Sequence, residues 1–522
     1  MTDSRTITRR RLLAGAGTAA AYGALAAACA PIAGPGPVGA SPTGAATTAA
    51  ASPKRGGLVA YGQVFALQTT DPHPFTGSTT AFREQIFDTM VSMAPKGAPQ
   101  PRLAESWTVA PDRSAVTFKL RQGVKFHSGR DFDAEAAKWN IEYAQDAKSR
   151  AQPGAQLRGI AVTAKDKYTL ELRFQRPTPQ IFSLLIGVPI IDPSSDIAKA
   201  AGGTGPFKLE GLTPGDQMRL IRNESYWRQG YPLLDGFTIK VVPDAGALVL
   251  GLESGAIHAI QSPLSEASRL SSGATKTLRE AGPGNYDFLL SAVDPPFTDK
   301  RVRQAVGLAV DRKRIADAAL FGQAQPAYTI WPRSSPAHDP ALDTGEFDLD
   351  KAKQLLTQAG HPNGFETKIQ ASRAAAPEQF QMSQILQADL AKIGIRATVE
   401  NLESAQLSGI ITNATFTALA SHNYAFGDQD PALLFTAQPF NPAANASRFK
   451  SDEYARLVQQ AQVEADDAKR IATYRDIAKL VKEEAFILPV ANWPRIWAMR
   501  SNLQGVRVTG LYMLNFEEAS LA

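Results

Sequence analysis

The sequence predicts an α/β protein of two or three domains, and three observations carry that prediction. Residues 297–321, 378–394 and 452–485 read as helices, the second followed directly by an extended run. Residues 115–126 and 168–174 alternate apolar and polar side chains, the period of a half-buried strand. The body after residue 55 is also too long for one hydrophobic core, which stops growing near roughly 250–300 residues.

Taken in order, residues 56–70 read as an opening strand that runs into a loop at Asp71-Pro72-His73-Pro74. In "FREQIFDTMVSM", Phe82, Ile86, Phe87 and Met90 stand at helical spacing and predict a helix over 82–93. Val116, Phe118 and Leu120 share one face of a strand, and Gln122-Gly123 reads as a hairpin turn into Val124 and Phe126. Leu170, Leu172 and Phe174 repeat the alternation, and further strands are expected within 206–221 and 236–242. Residues 297–321 read as two helices with Asp311 capping the second. Ile385, Leu386, Leu390 and Ile393 predict a helix stopped by Gly394, and Ile395, Ala397 and Val399 a strand after it. Residues 452–485 read as a helical pair broken near Asp466-Asp467. No internal repeat of fixed period is visible.

The first 55 residues stand apart. A basic run, Arg9-Arg10-Arg11, precedes about 15 small and apolar residues, too few to span a bilayer at roughly 20. Thr8 to Leu13 resembles a twin-arginine export signal. Cys29, the one cysteine in the chain, follows small residues that resemble the lipobox of bacterial lipoproteins, with Ala26 where that box prefers Leu. The expectation is a signal peptide over 1–29 with Cys29 lipidated as the mature N-terminus. Residues 30–55 have no aromatic and no acid, and read as a disordered tether. As a flexible coil it would hold its ends roughly 30 Å apart.

Removing the leader changes the charge reading. It holds Arg5, Arg9, Arg10, Arg11, Lys54 and Arg55 against Asp3 alone. From totals of 55 Lys+Arg and 50 Asp+Glu, that leaves equal numbers of bases and acids. A formally neutral body speaks against nucleic acid as a partner. A body without cysteine holds no disulfide and offers no thiol nucleophile.

Catalytic motifs are missing: no HExxH, no Walker A sequence, no GxSxG and no CxxC. "GLESG" at 251–255 has the wrong spacing for a nucleophile elbow. His73, His127, His258, His338, His361 and His422 form no pair at i, i+3 or i+4, and no metal site or cofactor is expected. A carboxylate pair assembled from distant segments stays open at this stage.

Four segments carry a family resemblance. "LAESWTVAPDRSAVTFKLRQGVKFHSGRDFDAEAAKWNIE" (103–142) resembles a characteristic block of the family 5 extracellular solute-binding proteins. "GTGPFKLEGLTPGDQMRLIRNESYW" (203–227), "DPPFTDKRVRQAVGLAVDRKRI" (294–315) and "FDLDKAKQLLTQAG" (347–360) are similar to later segments of that family, in the same order. Trp107, Phe118 and Phe126 in the first block read as core. The resemblance implies a type II periplasmic-binding-protein-like fold of two lobes closing about a hinge, with a small α/β domain inserted in the first. The expected spans are 56–97, 205–290 and 490–522 for the first lobe, 98–204 for the insertion and 291–489 for the second lobe.

The implied function is capture of a peptide or peptide-sized solute, handed to membrane permease subunits driven by a separate ATPase. The protein would act as a monomer, exported and anchored at the outer face of the cytoplasmic membrane or periplasmic, without chemistry of its own. Opines, oligosaccharides and nickel complexes remain alternative ligands. A secreted hydrolase and a surface sensor are the readings from other classes. Peptide binders of the family hold the ligand's amino terminus with an aspartate four residues before a proline. Here Gly427 takes that place before Pro431, Tyr424 takes the place of a tryptophan, and Asp428 stands one residue late. The candidate ligand residues are therefore Tyr424, Phe426, Asp428 and His422, with Trp331, Gln68 and Thr69 at positions where family members approach the ligand. Asp430 reads as a turn residue before Pro431.

Overall fold

The computed structural model describes residues 54–522 apart from 75, 95–96, 281, 426–428 and 437. Cys29, the signal segment, residues 30–53 of the tether, Phe426, Gly427 and Asp428 lie outside the described residues. Two large sheets organise the chain into an α/β, two-lobed molecule. In the first, seven strands run in the order Thr275–Glu280, Arg495–Arg500, Ala259–Gln261, Leu58–Gln63, Gly236–Val241, Gln217–Arg222, Phe207–Thr213. Leu58–Gln63 lies parallel to both neighbours, and the edge pairs are antiparallel. One face buries Phe207, Phe237, Trp497 and Phe516.

The second sheet has five strands: Arg396–Asn401, Glu366–Ala371, Leu419–Ala425, Gly284–Leu290 and Ile487–Asn492. The first three are parallel, and Gly284–Leu290 runs against its two neighbours. Every residue of Gly284–Leu290 is buried, because both faces are covered. Tyr286 and Phe288 meet the helices Lys300–Ala309 and Pro377–Ala391, while Leu289 packs with Trp331, Tyr454 and Tyr474 on the other side.

A four-stranded antiparallel sheet, Ala104–Val109, Ala115–Leu120, Thr169–Arg173 and Ala161–Asp166, packs with the helix Ala134–Gln145 over a third core. Phe118 and Phe126 are buried there and Trp107 rests against them. Helix caps follow the sequence: Asp311 accepts from the Arg314 amide at 2.9 Å and Asp466 from that of Lys469 at 2.9 Å.

Three expectations change. The helix predicted over 82–93 is a single turn, Arg83–Ile86. Phe87 is extended, and Val91–Met93 pairs as a strand with Pro99–Pro101. Its apolar residues are divided between two cores, Phe82, Ile86 and Phe87 in one and Met90 in another, which no single helical face can serve. The hairpin at Gln122-Gly123 keeps its turn but gains no second strand. Ala115–Leu120 pairs with Ala104–Val109 and Thr169–Arg173 instead. Strand Gly284–Leu290, expected with the first lobe, lies in the second sheet, as do residues 490–492. The chain therefore passes between the sheets at 280–284 and at 492–495.

Candidate functional site

Sheet register places the site. Gln261 pairs with Trp497, so Arg495 stands at the carboxyl end of Ala259–Gln261, on the same edge as Gln63. In the second sheet Gly284 pairs with Ala425 and Asn285 with Asn492, so both crossings meet the carboxyl ends of its parallel strands. Open α/β sheets bind ligands in the crevice outside those ends. Here the two lobes turn theirs toward a common gap.

The crossings are tightly joined. The Trp493 amide donates to the Gly284 carbonyl at 2.9 Å, and a Cβ on Gly282 would overlap the Trp493 carbonyl. Around them gather Tyr61, Gln261, Tyr286, Trp493, Arg495 and Tyr512. The Arg495 guanidinium donates to the Tyr512 carbonyl at 2.9 Å and lies 5.5 Å from the Trp493 ring centre. Burial pushes the Arg495 pKa down; the neighbours acting against that are the Tyr61, Tyr286 and Tyr512 phenols. Burial pushes Tyr61 up to about 12, although Arg495 pulls it back. Within the second lobe, Tyr286 donates to Glu378 at 3.2 Å. Glu378 opens the helix Pro377–Ala391, which follows the carboxyl end of Glu366–Ala371.

The residues predicted from sequence are only partly brought together. His422 and Tyr424 project from one face of Leu419–Ala425, as the alternation implies, with their rings 6.3 Å apart. That face packs on Phe440 and the helical layer. Tyr424 is 7% exposed and bonds to the Ile330 carbonyl and Asn285, so it is a core residue here. His422 binds the buried Asp287 through Nδ1 at 2.7 Å. Trp331 is 2% exposed; its indole donates to the Tyr474 carbonyl at 2.8 Å, and its ring meets Phe435 and Tyr474 edge-on. It packs rather than lines the gap. Gln68 is exposed on the segment after Leu58–Gln63. The Thr69 hydroxyl donates to the Ala198 carbonyl at 3.1 Å, tying that segment to the short helix Ile197–Ala200. Asp430 accepts from the Ala432 amide and the Tyr474 hydroxyl and faces Arg470 at 3.5 Å, which gives the turn reading two further anchors.

Sequence reasoning missed Arg495, Trp493, Tyr286, Glu378, Tyr61 and Tyr512. No local motif marks them, since sheet register alone assembles them. Two sizeable cavities lie elsewhere. One of about 700 Å³ is lined by Leu308, Arg312, Leu355, Lys482 and Ile487, and Ile487 is the far end of its strand from the crossing. Another of about 430 Å³ is lined by Asp88, Arg102, Trp227, Arg228 and Glu517, charges already paired with one another. Among the described residues no group of three or more His, Cys, Asp or Glu could hold a metal ion.

Two α/β lobes on a double crossing, with strand carboxyl ends turned to one gap, define a bilobal solute-binding protein. Residues 98–443 match the model of the bacterial extracellular solute-binding proteins, family 5, and the chain belongs to that family. The glutathione-binding protein GsiB of Escherichia coli strain K12 is 27% identical over 490 residues, covering 89% of this chain and 94% of the relative. HbpA2 from Haemophilus parasuis superposes with a TM-score of 0.78 at 24% identity, over 89% of this chain and 100% of that one. The periplasmic binding protein DppA from Helicobacter pylori, solved with the peptide STSA, has a TM-score of 0.75 at 25% identity, over 90% and 98% of the two chains.

Proposed function

We propose that this protein is the extracytoplasmic capture component of an ABC importer, taking a peptide or peptide-sized solute between its lobes and delivering it to a permease. The observation that carries the reading is the pair of crossings at the carboxyl ends of both sheets, which joins the lobes at one side of the gap between them. Relatives that bind glutathione and a short peptide support an amino-acid-derived ligand. The chemistry is binding alone: no bond is made or broken, and a membrane-bound partner supplies the energy. The test is thermal unfolding of the full chain against pools of short peptides, sugars, amino-acid derivatives and nickel salts. A ligand at about 100 times its Kd stabilises by roughly 2.7 kcal/mol, a clear shift. Conversion of a pool member into products, followed by mass spectrometry, would overturn capture in favour of hydrolysis.

The leader completes the proposal. Cys29 is read as the lipid attachment point, residues 30–55 as the tether, and Arg9-Arg10 as part of a twin-arginine export address. Replacing Cys29 with Ser should release the exported protein from the membrane fraction and abolish labelling by a fatty acid. Retention of both would make the thiol a spectator.

A further inference from the structure

Arg495 is the charge in the gap that the fold leaves without an answer. It opens the strand Arg495–Arg500 directly after the return crossing. One nitrogen donates to the Tyr512 carbonyl at 2.9 Å, while its Nε is buried without a hydrogen-bond partner. Among the described residues no carboxylate comes within 4.0 Å of it, although Arg102, Arg303, Arg314 and Arg470 each have one. Arg312 also lacks a carboxylate, but its guanidinium is held by the carbonyls of Ala327, Pro489 and Gly307. Arg495 has a single carbonyl, three phenols and an indole face.

Uncompensated cations removed from water are costly, and a guanidinium is best satisfied by a carboxylate in paired hydrogen bonds. Glu378, from the opposite lobe, does not serve: it accepts from Tyr286 and stays beyond ion-pair distance of Arg495. Tyr61, Gln261 and Tyr512 line a crevice of about 20 Å³ beside Arg495, room for a water and not for a solute. Its partner must therefore arrive from between the lobes.

We propose that the gap is built for a solute carrying an ionised carboxylate, and that Arg495 receives it. The proposal rests on the reading of the protein as a solute receptor and adds the ligand's charge and the residue that selects it. Tyr61, Tyr512 and Trp493 surround the guanidinium with aromatic surface, and Tyr286 links its neighbourhood to Glu378 on the facing lobe. A carboxylate bound at Arg495 would sit at the crossing, where lobe movement is smallest, so it would be held in open and closed forms alike.

The experiment compares free-acid di- and tripeptides with neutral side chains, the same peptides as C-terminal amides, and neutral oligosaccharides. Each is titrated calorimetrically into the full chain, into Arg495→Gln and into Arg495→Lys. The free acids are expected to bind at least tenfold more tightly than the amides. Arg495→Gln should remove that ratio by weakening the acids alone, and Arg495→Lys should restore part of it. Equal binding of acid and amide by the wild type, or an unchanged ratio in Arg495→Gln, overturns the proposal. Should Arg495→Gln fail to fold, the wild-type ratio decides. Binding of oligosaccharides without peptides overturns the carboxylate claim and leaves the receptor reading intact. No binding from any pool, or turnover of one, overturns both.

Discussion

His127 shows how one side chain can set a pH limit on the fold. Its backbone amide donates to the Gly203 carbonyl at 2.9 Å, its Nδ1 accepts from the Gly203 amide at 3.3 Å, and its Nε2 donates to the Gly205 carbonyl at 3.0 Å. The ring thus stitches the inserted domain to the segment that enters the first sheet, and it does so in the neutral form. Burial, with Lys208 nearby, pushes its pKa down to about 4, although the Gly205 carbonyl pulls the other way. Between that value and the unfolded value near 6.5, only the unfolded chain binds the proton, so stability rises with pH across this window. Its full contribution is present above about pH 6.5 and is lost as pH falls through the window, up to about 3 kcal/mol less what partial exposure screens. The urea midpoint should therefore fall between pH 7 and 4.5, and His127→Gln should flatten the fall. Parallel profiles for the two proteins would show that His127 does not carry it. From sequence this residue was one of six scattered histidines; its role depends on a partner 76 positions away.

At the scale of elements, the crossings bring backbone so close to backbone that a side chain has no room. Gly284 pairs with Ala425, and a Cβ there would overlap the Tyr424 carbonyl across the strands. Gly123, by contrast, has a positive φ, +75°, and open space around it. The Gly284→Ala change should therefore cost about 2–3 kcal/mol, and Gly123→Ala about 1 kcal/mol. Comparison of the two midpoints checks this, and equal losses would remove the steric argument. Elements with a local cause were legible: period-two alternation marked Ala115–Leu120 and Thr169–Arg173, and Asp311 and Asp466 marked helix starts. Where one run feeds two cores, as over 82–93, apolar spacing gave the wrong element. The crossings were illegible for the same kind of reason. Nothing in "AGPGNYD" or "ANWPRIW" says which sheet each strand joins. Arg495 was missed because its meaning comes from Tyr61, Tyr286 and Tyr512, far apart in the chain and gathered by register.

For the whole molecule, function requires that the lobes move together and that something holds them there. The inserted domain is placed to do so. Ser183, in its short helix Ile181–Leu185, accepts from the Asp430 amide of the second lobe at 2.8 Å, and Leu433 packs against the inserted domain's core. Both contacts lie on the second lobe a few residues after the strand Leu419–Ala425. A ligand bound between the lobes shifts the population only as far as it favours the closed form. Contacts made across the gap therefore add to apparent affinity without touching the ligand. One net hydrogen bond is worth about 1 kcal/mol, or roughly fivefold in Kd. Ser183→Ala should weaken binding of a confirmed ligand by about that factor. The loss should appear as faster dissociation, with little change in the rate of association. Thermal stability of the unliganded protein should fall by no more than a few degrees, because the inserted domain's core is intact. Stopped-flow fluorescence from Trp493, at the crossing, follows both rates. An unchanged dissociation rate would mean that Ser183 supports the inserted domain alone, and that the hold on the closed form lies at the crossings themselves.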